Sequence, residues 1–167
     1  MPDTVRAATA ADAADIARIY NEGIADRIAT FETELRTAEG MSRTIAERAS
    51  RYPTVVVERD GRVVAWAGAS EYRSRECYAG IAEFSVYVDR AARGTGAGTA
   101  AMRGLITACE SRGFWKLVSR VFPENSASRR LLASLGFREV GVYERHAKLD
   151  GVWKDVVIVE KRIGQAV

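Results

Sequence analysis

The sequence predicts a mixed α+β domain: one sheet of antiparallel and parallel strands with helices on its faces. Three features lead there. Asp60-Gly61 and Asp150-Gly151 each join two β-rich runs, and Asp-Gly suits the two-residue hairpin turn, whose central residues both need positive φ. A third β-rich run, containing Phe84, Val86 and Val88, feeds a glycine-rich turn, a helix-forming segment and a further strand. Hairpins call for antiparallel pairing and the strand–helix–strand unit for a parallel step; a mixed sheet with helices on its faces satisfies both.

In chain order, residues 4–8 read as a short strand. Thr9 then heads a helix, with Asp12 three positions on as a capping-box-like partner. Ile16, Ile19, Tyr20, Gly23 and Ile24 fall on one face at helical spacing. A second helix is expected over 35–50, with Met41, Ile45 and Ala49 turned inward. Thr54–Arg59 and Arg62–Ala67 flank the first Asp-Gly turn, and Ile81–Val88 is the next strand. Gly98–Arg112 reads as a helix closed by Gly113. Lys116–Phe122 is a strand, and Asn125 caps a helix over 126–135 that Gly136 terminates. Tyr143–Leu149 and Val152–Val159 form the second hairpin.

Residues 1–167 read as one domain without repeats or linkers. Hydrophobic residues make up 47% and charged residues 28%, the balance of a globular chain with a core of its own. No apolar run approaches the roughly 20 residues of a membrane span. The opening Met-Pro-Asp-Thr-Val-Arg has no apolar signal core, so a cytoplasmic location is expected. The net charge is +3, and the arginines are scattered with no dense basic block, which argues against a nucleic-acid partner. Two cysteines and one histidine, His146, make no metal cluster, so no metal is expected. Cys109 falls in register with Met102, Leu105 and Ile106 and reads as core; Cys77 lies in a polar segment.

The segment Arg93-Gly94-Thr95-Gly96-Ala97-Gly98 carries the chemistry. Glycines let successive N–H groups point into one concavity, and the helix that follows adds the positive end of its dipole, so the segment is a seat for phosphates. A nucleotide-hydrolysing P-loop needs a Lys that is missing here. A dinucleotide fingerprint fails because the third glycine, Gly98, comes one residue early and no acid falls at the right distance. What remains is Arg-x-x-Gly-x-Gly/Ala, which resembles the pyrophosphate loop of the GNAT acyltransferases, users of acetyl-CoA.

Further segments occur in order: Ala29-Thr30-Phe31-Glu32-Thr33, Tyr72-Arg73-Ser74-Arg75-Glu76-Cys77-Tyr78, Glu83-Phe84-Ser85-Val86-Tyr87-Val88, Asn125-Ser126-Ala127-Ser128, Leu135-Gly136-Phe137 and Gly151-Val152-Trp153-Lys154-Asp155. Together they look like the phosphinothricin/methionine-sulfoximine branch of that superfamily, which includes the arsinothricin-resistance enzymes. The resemblance implies a GNAT fold with a mostly antiparallel sheet. It also implies direct transfer of an acetyl group from acetyl-CoA to the α-amine of a small acidic amino-acid analogue, and a homodimer. Other amine acceptors (a protein N-terminus, a polyamine, an aminoglycoside) and a non-catalytic acyl-CoA-binding module are the alternatives.

The resemblance assigns roles residue by residue. Glu83 is the general base acting through a water, against a reading as a strand-edge surface charge. Val86, Tyr87 and Val88 align the pantetheine arm. Arg93, Gly94, Thr95, Gly96, Ala97 and Gly98 take the pyrophosphate, with Asn125 and Ser128 as further cofactor contacts; helix capping explains Asn125 equally well. Arg73 and Arg75, two apart on extended chain, point the same way and can grip oxyanions; alternatively they are loop charges paired with Glu71 and Glu76. Phe31 and Tyr78 line the substrate pocket or pack in the core. Trp66 and Trp153 are core or interface, and His146 is a surface or structural residue. Where the branch has His, and many GNAT enzymes Tyr, this chain has Leu132, so either the thiolate leaves unassisted or Tyr143, another group or water supplies its proton.

Overall fold

A computed structural model describes residues 2–167. Seven strands form one sheet: β1 (Thr4–Ala7), β2 (Thr54–Arg59), β3 (Arg62–Glu71), β4 (Ile81–Val88), β5 (Lys116–Val121), β6 (Arg138–Leu149) and β7 (Val152–Arg162). Four helices accompany them: α1 (Ala13–Asp26), α2 (Ala38–Arg48), α3 (Ala97–Ser111) and α4 (Ser126–Ser134). The order across the sheet is β1-β2-β3-β4-β5-β7-β6. Every neighbouring pair is antiparallel except β4–β5. The α3 crossover supplies that parallel step, and the sheet is mixed and mostly antiparallel, as the sequence predicts.

Both Asp-Gly turns form. Asp60 and Gly61 have φ of +52° and +76°, and Asp150 and Gly151 have +50° and +79°. The Thr9 N–H donates to Asp12 Oδ2 at 2.8 Å, so the capping pair exists, although the first turn is a 3-10 turn and α1 proper starts at Ala13. The second helix is shorter than expected. Thr37 Oγ1 accepts the Gly40 N–H at 3.0 Å and starts α2 there. The preceding loop is tied to α1: the Asn21 amide donates to Arg36 O at 2.9 Å, and its Oδ1 accepts the Arg36 N–H at 2.8 Å. Ala49, expected inward, is exposed, because α2 ends one residue earlier and the chain turns away toward Tyr52. The second hairpin is longer than expected, because β7 is flanked on both sides: Glu160 faces Val118 of β5 and Arg138 of β6.

Period-two alternation assigns each strand's residues to a face. Ala65, Ala67 and Ala69 of β3, with Ala82 and Phe84 of β4, join Met102, Leu105 and Cys109 of α3 in the larger core cluster. On the opposite face Trp66 and Val56 pack with Ile16 and Ile19 of α1 and Ile45 of α2. The parallel pairing of β4 with β5 covers only Ile81–Glu83 against Lys116–Val118. Beyond Glu83 the two strands diverge, and the Ser119 hydroxyl donates to Phe84 O at 2.8 Å where they part. The last five residues of β4 therefore keep β3 on one side and present an unpaired backbone edge on the other.

Candidate active site

A cleft of about 550 Å³ opens on that free edge. Val86, Tyr87 and Val88 form one wall, Arg93, Gly94, Gly96 and Gly98 the end, and Asn125 and Ser128 the wall opposite. The sequence-predicted cofactor residues thus converge from three separate segments. Gly94 and Gly96 have φ of +75° and +90°, conformations that suit glycine. Gly98 allows close packing: a Cβ there would lie 2.8 Å from Leu131 Cδ1 and 3.1 Å from Val88 Cγ2. No side chain caps the N-terminus of α3, so its first-turn N–H groups remain for a ligand.

Two loop residues face elsewhere. The Thr95 hydroxyl donates to Ala92 O and accepts from Arg59 Nη1 at 3.0 Å, and Ala97 is buried at the start of α3. Arg93 is already paired, its Nη2 lying 2.8 Å from Asp26 Oδ2, and Arg90 approaches the same carboxylate at 2.8 Å. Arg130 on α4 lines the cleft and makes no ion pair among the described residues. It stands in no motif; only its place on α4, two residues after Ser128, brings it here. Asn125 fits both of its readings, since its Oδ1 accepts the Ser128 N–H at 3.3 Å while the residue also lines the cleft.

Between the diverging strands lies a notch of about 60 Å³ that includes Ser85, Ser119, Arg120 and Leu132. Leu132 is fully buried, so hydrocarbon occupies the position where an acid was sought. Tyr143, the other named source of a proton, lies half-exposed on β6 with its ring 4.9 Å from that of His146, away from the notch. Tyr87 stacks on Trp66 at 5.3 Å. Burial, reinforced by Tyr20, raises the Tyr87 pKa, so its phenol stays neutral at physiological pH.

Across the sheet from the larger core cluster lies a cavity of about 440 Å³. Its floor is Trp66, Gly68 and Ser70 of β3 with Ser85 of β4. Gly68 pairs with Ser85 and Ser70 with Glu83, so Glu83 shares this face at the margin of the floor. Glu83 Oε1 lies 3.7 Å from Arg120 Nη2. Ser85 borders both the cavity and the notch, which makes it the point where the two sides of the sheet communicate.

The predicted substrate residues sit elsewhere. β3 ends at Glu71, and the chain from Tyr72 runs through bends into a 3-10 turn at Glu76–Tyr78. Arg73 and Arg75 are therefore not on extended strand, and the alternation argument for their shared direction does not apply. Both are exposed; the Arg73 guanidinium lies 5.1 Å from the Tyr72 ring centre, and Tyr72 meets Tyr78 edge-on at 5.8 Å. Phe31 packs edge-on against Phe122 at 4.9 Å. None of these four lines the cavity, whose cations are Arg36 and Arg48. Trp66 is core and Trp153 half-exposed on β7. Cys77 is a free, exposed thiol, whereas burial pushes the Cys109 thiol up to about 12, which leaves it inert.

The cleft at the glycine turn thus continues through the notch, which shares Ser85 with the cavity on the other face of the sheet. The Acetyltransferase (GNAT) family model matches residues 16–137, and the chain belongs to that family. It is 31% identical to the phosphinothricin N-acetyltransferase of Streptomyces viridochromogenes, across 93% of this chain and 85% of that protein. It is 30% identical to the L-methionine sulfoximine/L-methionine sulfone acetyltransferase of Salmonella typhimurium, across 97% and 95%. The crystal structure of a GNAT superfamily phosphinothricin acetyltransferase from Sinorhizobium meliloti, in complex with AcCoA, matches with a TM-score of 0.92 and 30% identity, across 100% of this chain and 91% of that one. No helix among the described residues is long and apolar enough to cross a membrane.

Proposed function

We propose that this chain, as one catalytic domain, uses acetyl-CoA to acetylate the α-amine of a small acidic amino-acid analogue. The class is that of phosphinothricin, methionine sulfoximine or sulfone, or arsinothricin. The notch carries the reading: it shares Val86, Tyr87, Asn125 and Ser128 with the cleft and Ser85 with the cavity, so an acyl donor in the cleft and an amine in the cavity can approach each other beside β4. The names of the relatives support the substrate class.

Fit to the cofactor is supported by the uncapped α3 terminus and by the tight approach at Gly98, which leaves the backbone donors unobstructed. Bound there, acetyl-CoA supplies an acetyl thioester. The unpaired edge of β4 at Val86 and Val88 holds the extended arm and offers an N–H to the thioester carbonyl. The N–H groups of Gly94, Gly96 and Gly98 hold the pyrophosphate, and Arg130 adds an unpaired positive charge. Glu83 takes a proton from the acceptor's ammonium through one water, which frees the amine lone pair for direct attack. The ammonium of a free amino acid titrates above the ~8 of a chain-terminal α-amino group, so the acceptor arrives protonated at neutral pH and needs a base. Leu132 has no proton to give, so protonation of the departing thiolate falls to water. Arg73 and Arg75, just past the end of β3, hold the α-carboxylate, and Phe31 and Tyr78 complete the acceptor's surroundings.

Two further readings accompany this one. The half-exposed apolar residues of the second hairpin, Val140, Val142, Tyr143, Val152 and Trp153, at the sheet edge closed by β6, support a homodimer. A cytoplasmic site of action follows from dependence on acetyl-CoA. The deciding experiment is a thiol-release assay with acetyl-CoA, comparing phosphinothricin, methionine sulfoximine, methionine sulfone, arsinothricin, spermidine and a peptide. The expected result is release with the amino-acid analogues and none with spermidine. Glu83→Gln should lower kcat by about 10²-fold or more while the KM for acetyl-CoA holds. Preference for the peptide or spermidine, or full turnover by the variant, overturns the assignment.

A further inference from the structure

The 440 Å³ cavity holds two arginines that no motif announced. The guanidinium of Arg36 lies 5.6 Å from the Tyr20 ring centre and 3.1 Å from Glu32 Oε2, so that charge is partly met. Arg48, at the last turn of α2, has no carboxylate oxygen within 4.0 Å among the described residues. It lines the concavity and is exposed to solvent. The surrounding protein nevertheless strips enough solvent to lower its pKa; the Glu47 carboxylate opposes that shift and the like charge of Arg36 adds to it. A guanidinium stays charged under such a shift. With Arg36 and Arg48 set against Glu32, the cavity lining carries one positive charge in excess.

An arginine without a counter-ion, partly shielded from water by a cavity wall, gains more from an anion than a fully hydrated one does. The amine of an acceptor must reach Glu83 at the floor margin, and the α-carboxylate, bonded to the same carbon, must stay beside it. Only the side group can extend along the floor of Trp66, Gly68 and Ser70 to the α2 wall. We propose that Arg48, assisted by Arg36, binds an acidic side group of the acceptor and selects oxyanionic side groups over neutral ones. This deepens the proposed function and rests on it. The cavity then prefers phosphinothricin, whose side group is a phosphinate, over methionine sulfone, whose side group is neutral.

The test is steady-state thiol release with acetyl-CoA for Arg48→Met and Arg48→Lys, each with phosphinothricin and with methionine sulfone. A charge-assisted contact of this kind predicts that Arg48→Met raises the KM for phosphinothricin about 10- to 100-fold. Its kcat should hold, methionine sulfone should change less than about threefold, and Arg48→Lys should recover much of the loss. Equal losses on both substrates, or no loss on either, overturn the inference even if the wild type turns both over. Calorimetric titration of phosphinothricin separates the two levels. If the wild type binds phosphinothricin in an Arg48-dependent way yet releases no thiol, the transfer reading fails and the side-group site stands.

Discussion

Gly98→Ala probes the cofactor end of the site by adding a single methyl group. The new Cβ would sit 2.8 Å from Leu131 Cδ1 and 3.1 Å from Val88 Cγ2, both inside normal contact distance. Leu131 can rotate, whereas Val88 is β-branched and ends the strand that forms one wall of the cleft. Overpacking of this order costs about 1–3 kcal/mol. Against it, replacing a helical glycine by alanine gains about 1 kcal/mol of helix propensity. The net destabilisation is therefore about 0–2 kcal/mol, a fall in Tm of about 0–6 °C for a chain of this length. Stability is thus the blunt readout and cofactor affinity the sharp one, because Leu131, Val88 and the α3 terminus are all walls of the 550 Å³ cleft. A shift of the backbone donors worth about 1.4 kcal/mol raises the KM for acetyl-CoA about tenfold. The control is Gly141→Ala on β6, where φ is not positive and no atom lies within 4 Å of the added methyl; it should leave that KM alone. Acetyl-CoA saturation by thiol release and a thermal melt measure both quantities. An unchanged KM in Gly98→Ala, within twofold of wild type, would refute the claim that α3 and β4 must approach this closely to form the seat.

Asp12 is buried, with Arg6 Nη1 at 2.8 Å, and hydrogen bonding from Arg6 holds its carboxyl below the ordinary carboxylate range. Its folded pKa is thus depressed, so its contribution is present above about pH 3.9 and disappears as pH falls through the folded value. Asp12→Asn should cost about 2–3 kcal/mol at pH 7, the low end for a buried pair because Arg6 keeps Glu58 at 2.9 Å; urea melts at pH 7 and pH 3 should show the deficit shrinking in acid, and a constant deficit would count against the pairing. Cys77→Ser should retain turnover, as direct transfer requires; loss of activity together with a trapped acetyl-enzyme in the wild type would indicate a covalent route. Trp153→Glu should convert a sedimenting dimer to a monomer, and a monomeric wild type removes the dimer proposal.

Much of the fold is written in local chemistry. The two Asp-Gly turns, the Asn125 cap and the Arg93–Gly98 turn are each decided within a few residues by backbone conformation or a single hydrogen bond, and each is found where it was expected. Errors arise where a local rule met a nonlocal boundary. The 35–50 helix lost its first turn because Asn21, on another helix, holds the backbone of Arg36. The alternation argument for Arg73 and Arg75 does not apply because β3 runs out of pairing partner at Glu71.

By itself, the sequence determined the proposed cofactor side of this protein, because a phosphate seat is built from consecutive backbone N–H groups and needs only glycines placed before a helix. Tertiary structure alone decided the proposed acceptor side. Tyr20, Arg36, Arg48, Trp66 and Ser85 come from α1, a loop, α2, β3 and β4, and nothing in their spacing joins them. Side-chain sites of that kind are sums of long-range packing. A charge such as that of Arg48 looks like any other solvated cation until the fold closes a cavity around it and leaves it without a partner.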